Sequence, residues 1–181
     1  MNAAQPDGFS TLTTNSPATD AWAPLYLKHD AEGVHIGTFV RPAMCNGHGT
    51  AHGGTIAALA DYAMGLSYGL SFREAFGNLR GVVTTQMALD YIGGAPLGSW
   101  LQIRPATIHT GRSRGFTDAR IYADGVLASR ATAHSSSDRS RQPRARKSSR
   151  TFPNAILMSS PGSAIYFTKA VVNGLLAPMP S

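Results

Sequence analysis

Between Gly53 and Leu70 the chain reads GGTIAALADYAMGLSYGL, and this segment restricts the fold more than any other. Ile56, Leu59, Ala63, Leu66 and Leu70 recur at three- and four-residue spacing, which predicts a helix over roughly 54–69 with one apolar face. Ala57, Ala58, Ala60 and Gly65 keep that helix slim, so it can lie close against something broad and flat. A sheet is the natural partner.

The flanking segments supply one. Residues 34–40 (VHIGTFV) alternate as a strand ended by Pro42. After the helix, residues 70–80 read as a polar connection. Residues 81–91 are rich in strand formers, with Gly93-Gly94 and Pro96 marking the turn. Residues 98–109 form the next strand, irregular at Pro105, which suggests a bulge or an edge position. Residues 115–123 are anchored by Phe116, Ala119 and Ile121, Asp124-Gly125 is a strong hairpin turn, and residues 126–134 return. The predicted order is strand, helix, then four consecutive antiparallel strands: an α+β fold in which one sheet wraps one helix.

Three parts follow from this pattern. Residues 1–20, polar and rich in Ser, Thr, Ala and Pro, read as a loose arm. Residues 21–137 carry the folded body, with Trp22, Leu25, Tyr26 and Leu27 expected as a short helix or turn on its edge. Residues 138–181 begin as a basic, strand-breaking linker and then regain apolar character without a clean period, as a loose tail or an extra helix.

Charge must be read by region. The net charge of +6 comes from Arg139, Arg141, Arg144, Arg146, Lys147 and Arg150; elsewhere ten basic residues face ten acidic ones. The body is neutral, so the overall basicity does not describe a nucleic-acid-binding domain. The run itself is read as a solvated linker, with CoA phosphates, nucleic acid or an anionic surface as its other conceivable contacts. A charged content of only 14% suits a surface partly covered by another subunit. The single cysteine, Cys45, excludes a disulfide framework and a cysteine-rich metal site. No basic segment precedes an apolar stretch at the N-terminus, and no apolar run reaches membrane-spanning length. These features predict a cytoplasmic protein without a membrane partner.

The polar turn before the helix carries the chemistry. A helix starting at Gly53-Gly54 leaves free N–H groups in its first turn, uncovered by side chains and at the positive end of its dipole. Such amides can stabilise a carbonyl that develops negative charge, although an ordinary tight turn has the same glycines. Asp61, eight residues on, can orient and deprotonate water or attack an electrophile, or can be a solvated helix acid. Asn46 and His52 add donors around the same place, with His52 also suited to capping the helix. His48 and His52 are four apart with Asp61 near, but no third ligand has convincing spacing, so no metal is expected. Ser67 and Ser71 sit in no nucleophile elbow, and neither a Rossmann fingerprint nor a Walker loop is present.

The combination Asn46-(5)-His52-Gly53-Gly54-(6)-Asp61 resembles the signature of hotdog-fold acyl-CoA thioesterases of the phenylacetate-degradation (PaaI-like) type. The likeness continues through GVVTTQMALDYIGGAPLG and IHTGRSRGFTDARIYADGVLASRATA and spans about residues 34–136. It implies a hotdog fold and hydrolysis of an acyl-CoA to a free acid and CoA, with CoA as part of the substrate and no separate cofactor. By that resemblance the Gly53 N–H polarises the thioester carbonyl, Asn46 helps hold substrate or water, and Asp61 is general base or nucleophile. Thr84 is the strand hydroxyl near the acid and water; Thr84 and Thr85 are adjacent, so only one can face the site, and Thr84 is favoured. His52 and Gly54 shape the turn beside the substrate. Met64 and Tyr68 line or border an acyl pocket or simply pack the helix. Arg112 and Ser113 lie near the CoA phosphates or pantetheine, with Arg104 and Arg114 completing a basic cluster. The family further implies a homodimer with its site at the interface, and a tetramer as the next assembly. A non-catalytic acyl-CoA-binding module and a hotdog dehydratase are the rival readings.

Overall fold

In a computed structural model, which describes residues 5–14, 17–77 and 81–137, the helix after the glycine turn is α2, Gly53–Phe76. It is 24 residues long and extends well past the predicted end near residue 69. Its middle, Tyr62 to Leu70, is buried on every side, as a helix wrapped by a sheet must be. The extra turns come from Phe72 and Phe76, which continue the buried face of Tyr68 at four-residue spacing. The ring centroids lie 6.0 Å apart for Tyr68–Phe72 and 4.9 Å for Phe72–Phe76. Ser71, Arg73 and Glu74 between them hid this periodicity in the sequence. Gly77, with φ +84°, ends the helix and donates its N–H to the Arg73 carbonyl.

The strands are β1 (Ser10–Leu12), β2 (Leu25–Asp30), β3 (Gly33–Phe39), β4 (Val82–Tyr91), β5 (Trp100–Thr110), β6 (Arg114–Ala123) and β7 (Val126–Ser137), with a short helix α1 (Pro17–Asp20) and a 3-10 turn at Pro42–Met44. They form one antiparallel sheet in the order β1-β2-β3-β5-β6-β7-β4. The chain is thus an α+β hotdog: α2 leaves from the β3 side and returns to β4 at the opposite edge, and β5, β6 and β7 fill the space between as consecutive hairpins. The four strands after the helix are therefore not four neighbours in sequence order. Ile36, Leu101, Ile103 and Ile121 meet Leu59, Ala60, Ala63 and Met64, all with 0% exposure. Each large apolar side chain buried this way contributes about 2 kcal/mol.

Other expectations shift. The segment Leu25–Leu27 is strand β2 rather than a helix or turn, and part of the expected loose arm is docked as β1 and α1. Trp100 explains both. Its ring meets Phe9, Tyr26 and Phe39 with centroids at 5.1, 5.7 and 4.9 Å, so an N-terminal aromatic anchors an otherwise polar segment. Gly37 opposite must lack a side chain, because a Cβ there would lie 2.1 Å from the indole. The β5 irregularity falls between Thr107 and His109, not at Pro105. Pro105 lies beyond Ile103, the last residue laddered to β3, where a missing N–H interrupts no pair of that ladder. Asp124 and Gly125, at φ +47° and +81°, make the expected tight turn between β6 and β7. The basic run and the apolar segment beyond it lie outside the described residues.

Candidate active site

The glycine turn is tied down by its own asparagine. Asn46 Oδ1 accepts from the His48 N–H at 2.9 Å, the Thr50 hydroxyl at 3.2 Å and the Thr50 N–H at 3.4 Å, and the Asn46 N–H donates to the Thr50 carbonyl at 2.8 Å. A side-chain oxygen bonded to backbone two residues on lets so glycine-rich a segment hold one shape. The Asn46 amide NH2 has no partner among the described residues and is the donor this side chain can present to a ligand.

His52 caps α2. Its carbonyl accepts from the Thr55 and Ile56 N–H groups at 2.9 and 3.1 Å, and its Nδ1 accepts from the Gly54 N–H at 2.9 Å. Because Nδ1 is the acceptor, a neutral ring carries its proton on Nε2. The Gly53 N–H has no partner among the described residues and stands at the positive end of the helix dipole. The Gly53 carbonyl accepts from the Tyr91 hydroxyl at 2.8 Å, and a Cβ at residue 53 would lie 2.9 Å from that ring. Asn46, His52, Gly53 and Gly54 therefore come together as one donor-lined turn.

Asp61 stands apart from it. Its Oδ1 is buried and has no hydrogen-bond partner among the described residues. Eight residues of helix place it about 12 Å along the axis from Gly53. Thr84, half-buried, is at the far end of β4 from Tyr91. Their separation of seven residues along the strand is roughly 20 Å. A bulge settles which threonine faces inward. Thr85 is the extra residue between Thr84↔Ser135 and Gln86↔His134, and its hydroxyl donates to the His134 carbonyl at 3.1 Å. Past the bulge the alternation changes phase, so Val82, Thr84, Met87 and Leu89 share the helix side. Ser135, opposite Thr84, has a buried hydroxyl without a partner among the described residues.

The remaining candidates are elsewhere. Met64 and Tyr68 have 0% exposure; the Tyr68 hydroxyl donates to the Gly111 carbonyl at 3.2 Å, and burial pushes its pKa up. Arg112 lies over the Phe76 ring at 4.8 Å, with its carbonyl taking a 2.6 Å bond from the Ser137 hydroxyl, and Ser113 beside it is exposed. Arg104 is held over Tyr122 at 4.7 Å and bonds Gln102, so it does not cluster with them. The group of potential metal ligands found among the described residues is Asp30, Glu32 and His35, on the β2–β3 hairpin rather than in the glycine turn. The Lys28 ammonium, 2.9 Å from Asp30, already supplies a cation there and is the main reason that the Asp30 carboxyl falls to about 2.

The sequence profile of the Thioesterase superfamily (4HBT) matches residues 48–128. Over 129 residues the chain is 33% identical to the Pseudomonas aeruginosa protein PA0474, covering 70% of this chain and 92% of that protein. The chain belongs to the hotdog-fold thioesterase superfamily. Among solved structures, a hypothetical thioesterase protein from Streptococcus pneumoniae TIGR4, determined with coenzyme A, superposes with a TM-score of 0.57 at 26% identity, over 66% of this chain and 89% of its own. The E. coli PaaI protein of the phenylacetic acid degradation operon superposes at 0.59 with 21% identity, over 68% and 86%, a likeness of fold. The matched region of this thioesterase-superfamily chain contains a contact that sequence reasoning passes over. Tyr91 reads as the end of a strand, and its bond to Gly53 spans 38 residues. Only the sheet order reveals that β4 runs back alongside the start of α2.

Proposed function

We propose that this protein hydrolyses an acyl-CoA thioester to a free carboxylic acid and CoA. The carrying observation is the Asp61 carboxylate oxygen, buried without a partner among the described residues. Leaving such a group unbonded costs about 1–3 kcal/mol, a cost that a fold retains for a ligand or a reaction. Asp61 takes a proton from water as the water oxygen adds to the thioester carbonyl carbon. The Gly53 N–H, aided by Asn46, bears the charge gathering on the carbonyl oxygen. The intermediate then collapses, the C–S bond breaks, and the CoA sulfur takes up a proton. Direct attack by Asp61, with water resolving an anhydride, is the alternative order of events; when that water adds to the Asp61 carbon of the anhydride, a single turnover in labelled water leaves label in the Asp61 carboxylate, an outcome that general-base hydrolysis never gives. The coenzyme A on the Streptococcus protein supports the substrate class. Arg112 and Ser113 are the expected contacts for its phosphates or pantetheine. His52 and Gly54 shape the turn against the acyl group, and Met64 and Tyr68 back the pocket from within the core.

The geometry favours a site made by two copies. An attacking water must lie within about 3.5 Å of the carbonyl that Gly53 holds. Within one chain Asp61 is about 12 Å along the helix from Gly53. Thr84 is near the other end of β4. Among the described residues β4 pairs only with β7, so its outer edge is open along ten residues, with Val83 and Tyr91 exposed. Antiparallel pairing of two such edges about a two-fold axis brings the Thr84 end of one copy to the Tyr91 and Gly53 end of the other.

The test is thiol release from a panel of aryl and medium-chain acyl-CoAs. The wild type turns over at least one, whereas Asp61→Asn stays folded, binds the same substrate and loses roughly a thousandfold in kcat. Near-full hydrolysis by that variant sinks the assignment, and tight binding without turnover by the wild type makes the protein a binding module. Mixing Asp61→Asn chains with Gly53→Pro chains restores activity if each site draws on both copies, because a mixed dimer has one intact site. No restoration after subunit exchange rejects the shared site.

A further inference from the structure

We propose that Tyr91 is a positioning residue for this reaction, holding the first peptide of α2 so that the Gly53 N–H keeps its aim; the inference rests on the hydrolase reading above. Two consecutive glycines give a ligand access to the helix terminus, but they also leave that backbone with the widest conformational freedom of any residue type. An oxyanion donor works when it is fixed before charge develops, so access and aim conflict at Gly53-Gly54. The structure resolves the conflict from both sides of one peptide plane. The carbonyl of the Gly53–Gly54 peptide accepts from the Tyr91 hydroxyl at 2.8 Å, and its N–H donates to His52 Nδ1 at 2.9 Å. The phenol ring also fills the space where a Cβ at residue 53 would stand, 2.9 Å away. One neighbouring donor, the Gly53 N–H, is left facing outward.

Tyr91 suits this task because it closes β4, a strand laddered to β7 from Val82↔Ser137 to Tyr91↔Ser129. The aim of the helix terminus is thereby referred to the sheet rather than to the glycine turn. Its hydroxyl proton is given to the Gly53 carbonyl, so Tyr91 acts on substrate through the backbone. The ring is still 57% exposed, on the side where the open edge of β4 lies.

The experiment compares wild type with Tyr91→Phe, which keeps the ring and removes the hydrogen bond. Steady-state turnover of an acyl-CoA is measured alongside amide exchange at Gly53 and Gly54 by NMR. We expect kcat to fall by about ten- to a hundredfold with KM held within about threefold, and the Gly54 amide to exchange faster. A kcat within about twofold of wild type, a loss carried by KM alone, or unaltered exchange would overturn the inference. If the phenylalanine variant does not fold, Gly53→Ala displaces the same phenol through its Cβ and must show the same loss in kcat. A wild type inactive on every acyl-CoA defeats the hydrolase reading; amide exchange then still decides whether Tyr91 holds the peptide.

Discussion

At the N-terminal end of α2, Gly53 keeps an N–H and Asp61 a buried carboxylate oxygen without partners among the described residues, whereas toward the C-terminal end the helix's own polar groups find partners, although the buried Thr117 and Ser135 hydroxyls on the facing strands do not. Ser67 meets Thr107 across 3.0 Å, Tyr68 donates to Gly111, and Gly77 caps Arg73. Phe72, Phe76 and Arg112 stack over that end. The same helix thus contains a segment held by its own bonds and a segment whose bonding is incomplete among the described residues. Incomplete bonding in a folded interior is costly, so it marks where a ligand or a second copy is expected. Substitutions near Gly53 and Asp61 should therefore reduce turnover without unfolding the protein. Substitutions around the Ser67–Thr107 pair should instead cost stability and leave turnover close to wild type.

The largest effects belong to the N-terminal end. Beyond the loss expected for Asp61→Asn, Gly53→Pro removes the proposed donor at a position where a helix tolerates proline, because that N–H has no intrahelical acceptor. Because the proline Cβ also meets the Tyr91 ring 2.9 Å away, turnover should drop roughly a hundredfold or more, while far-UV circular dichroism keeps its helical signal and the melting temperature falls only by the cost of moving that exposed ring. A variant that melts much earlier but keeps its kcat would reverse the contrast between the two ends.

This division was only half legible in the sequence. The donor turn was readable because Asn46, His52, Gly53 and Gly54 are local, and local spacing is what a sequence displays. The helix was legible through Leu70 because its apolar positions repeat; beyond that, Arg73 and Glu74 interrupt the pattern, and only Tyr68, Phe72 and Phe76 seen together extend it. Strands β1 and β2 were missed since their burial depends on Trp100, some 75 residues or more downstream. Tyr91 and the Thr85 bulge were invisible for the same reason: each is defined by a partner strand. Alternation does predict that Thr84 and Thr85 differ in direction. It takes the register with β7 to say which one points at the helix.

A sizeable but smaller effect is expected where the C-terminal half of α2 meets β6. Gly115 faces the ring of Tyr68 so closely that a Cβ would lie 2.0 Å from it, and Tyr68 is fully buried with its hydroxyl bonded to Gly111. The ring cannot swing away without losing that bond and opening the packing around Phe72. Gly115→Ala should therefore cost about 3 kcal/mol of stability by overpacking, read as a lower urea midpoint. A midpoint unchanged from wild type would mean that this end of the helix is as yielding as the other.

The smallest effect is the sharpest discriminator, because it separates two kinds of hydroxyl. Thr107 and Ser67 share one hydrogen bond between β5 and α2, and Ser67 is only 8% exposed. Thr107→Val keeps the shape of the side chain and removes its oxygen, leaving the Ser67 hydroxyl to find a weaker acceptor on its own helix. The expected cost is about 1 kcal/mol. Adding Ser67→Ala should return much of it, since removing both partners leaves no buried group unsatisfied. Throughout this cycle kcat/KM should stay within about twofold of wild type, as expected for a pair that carries fold and not chemistry. Thr84 supplies the contrast: its hydroxyl faces the helix from the open-edged strand, and Thr84→Val should lower kcat with little change in melting temperature. Should the two threonines behave alike, the distinction between a hydroxyl bonded within the fold and one offered from the open-edged strand to the proposed site fails at the level of single groups.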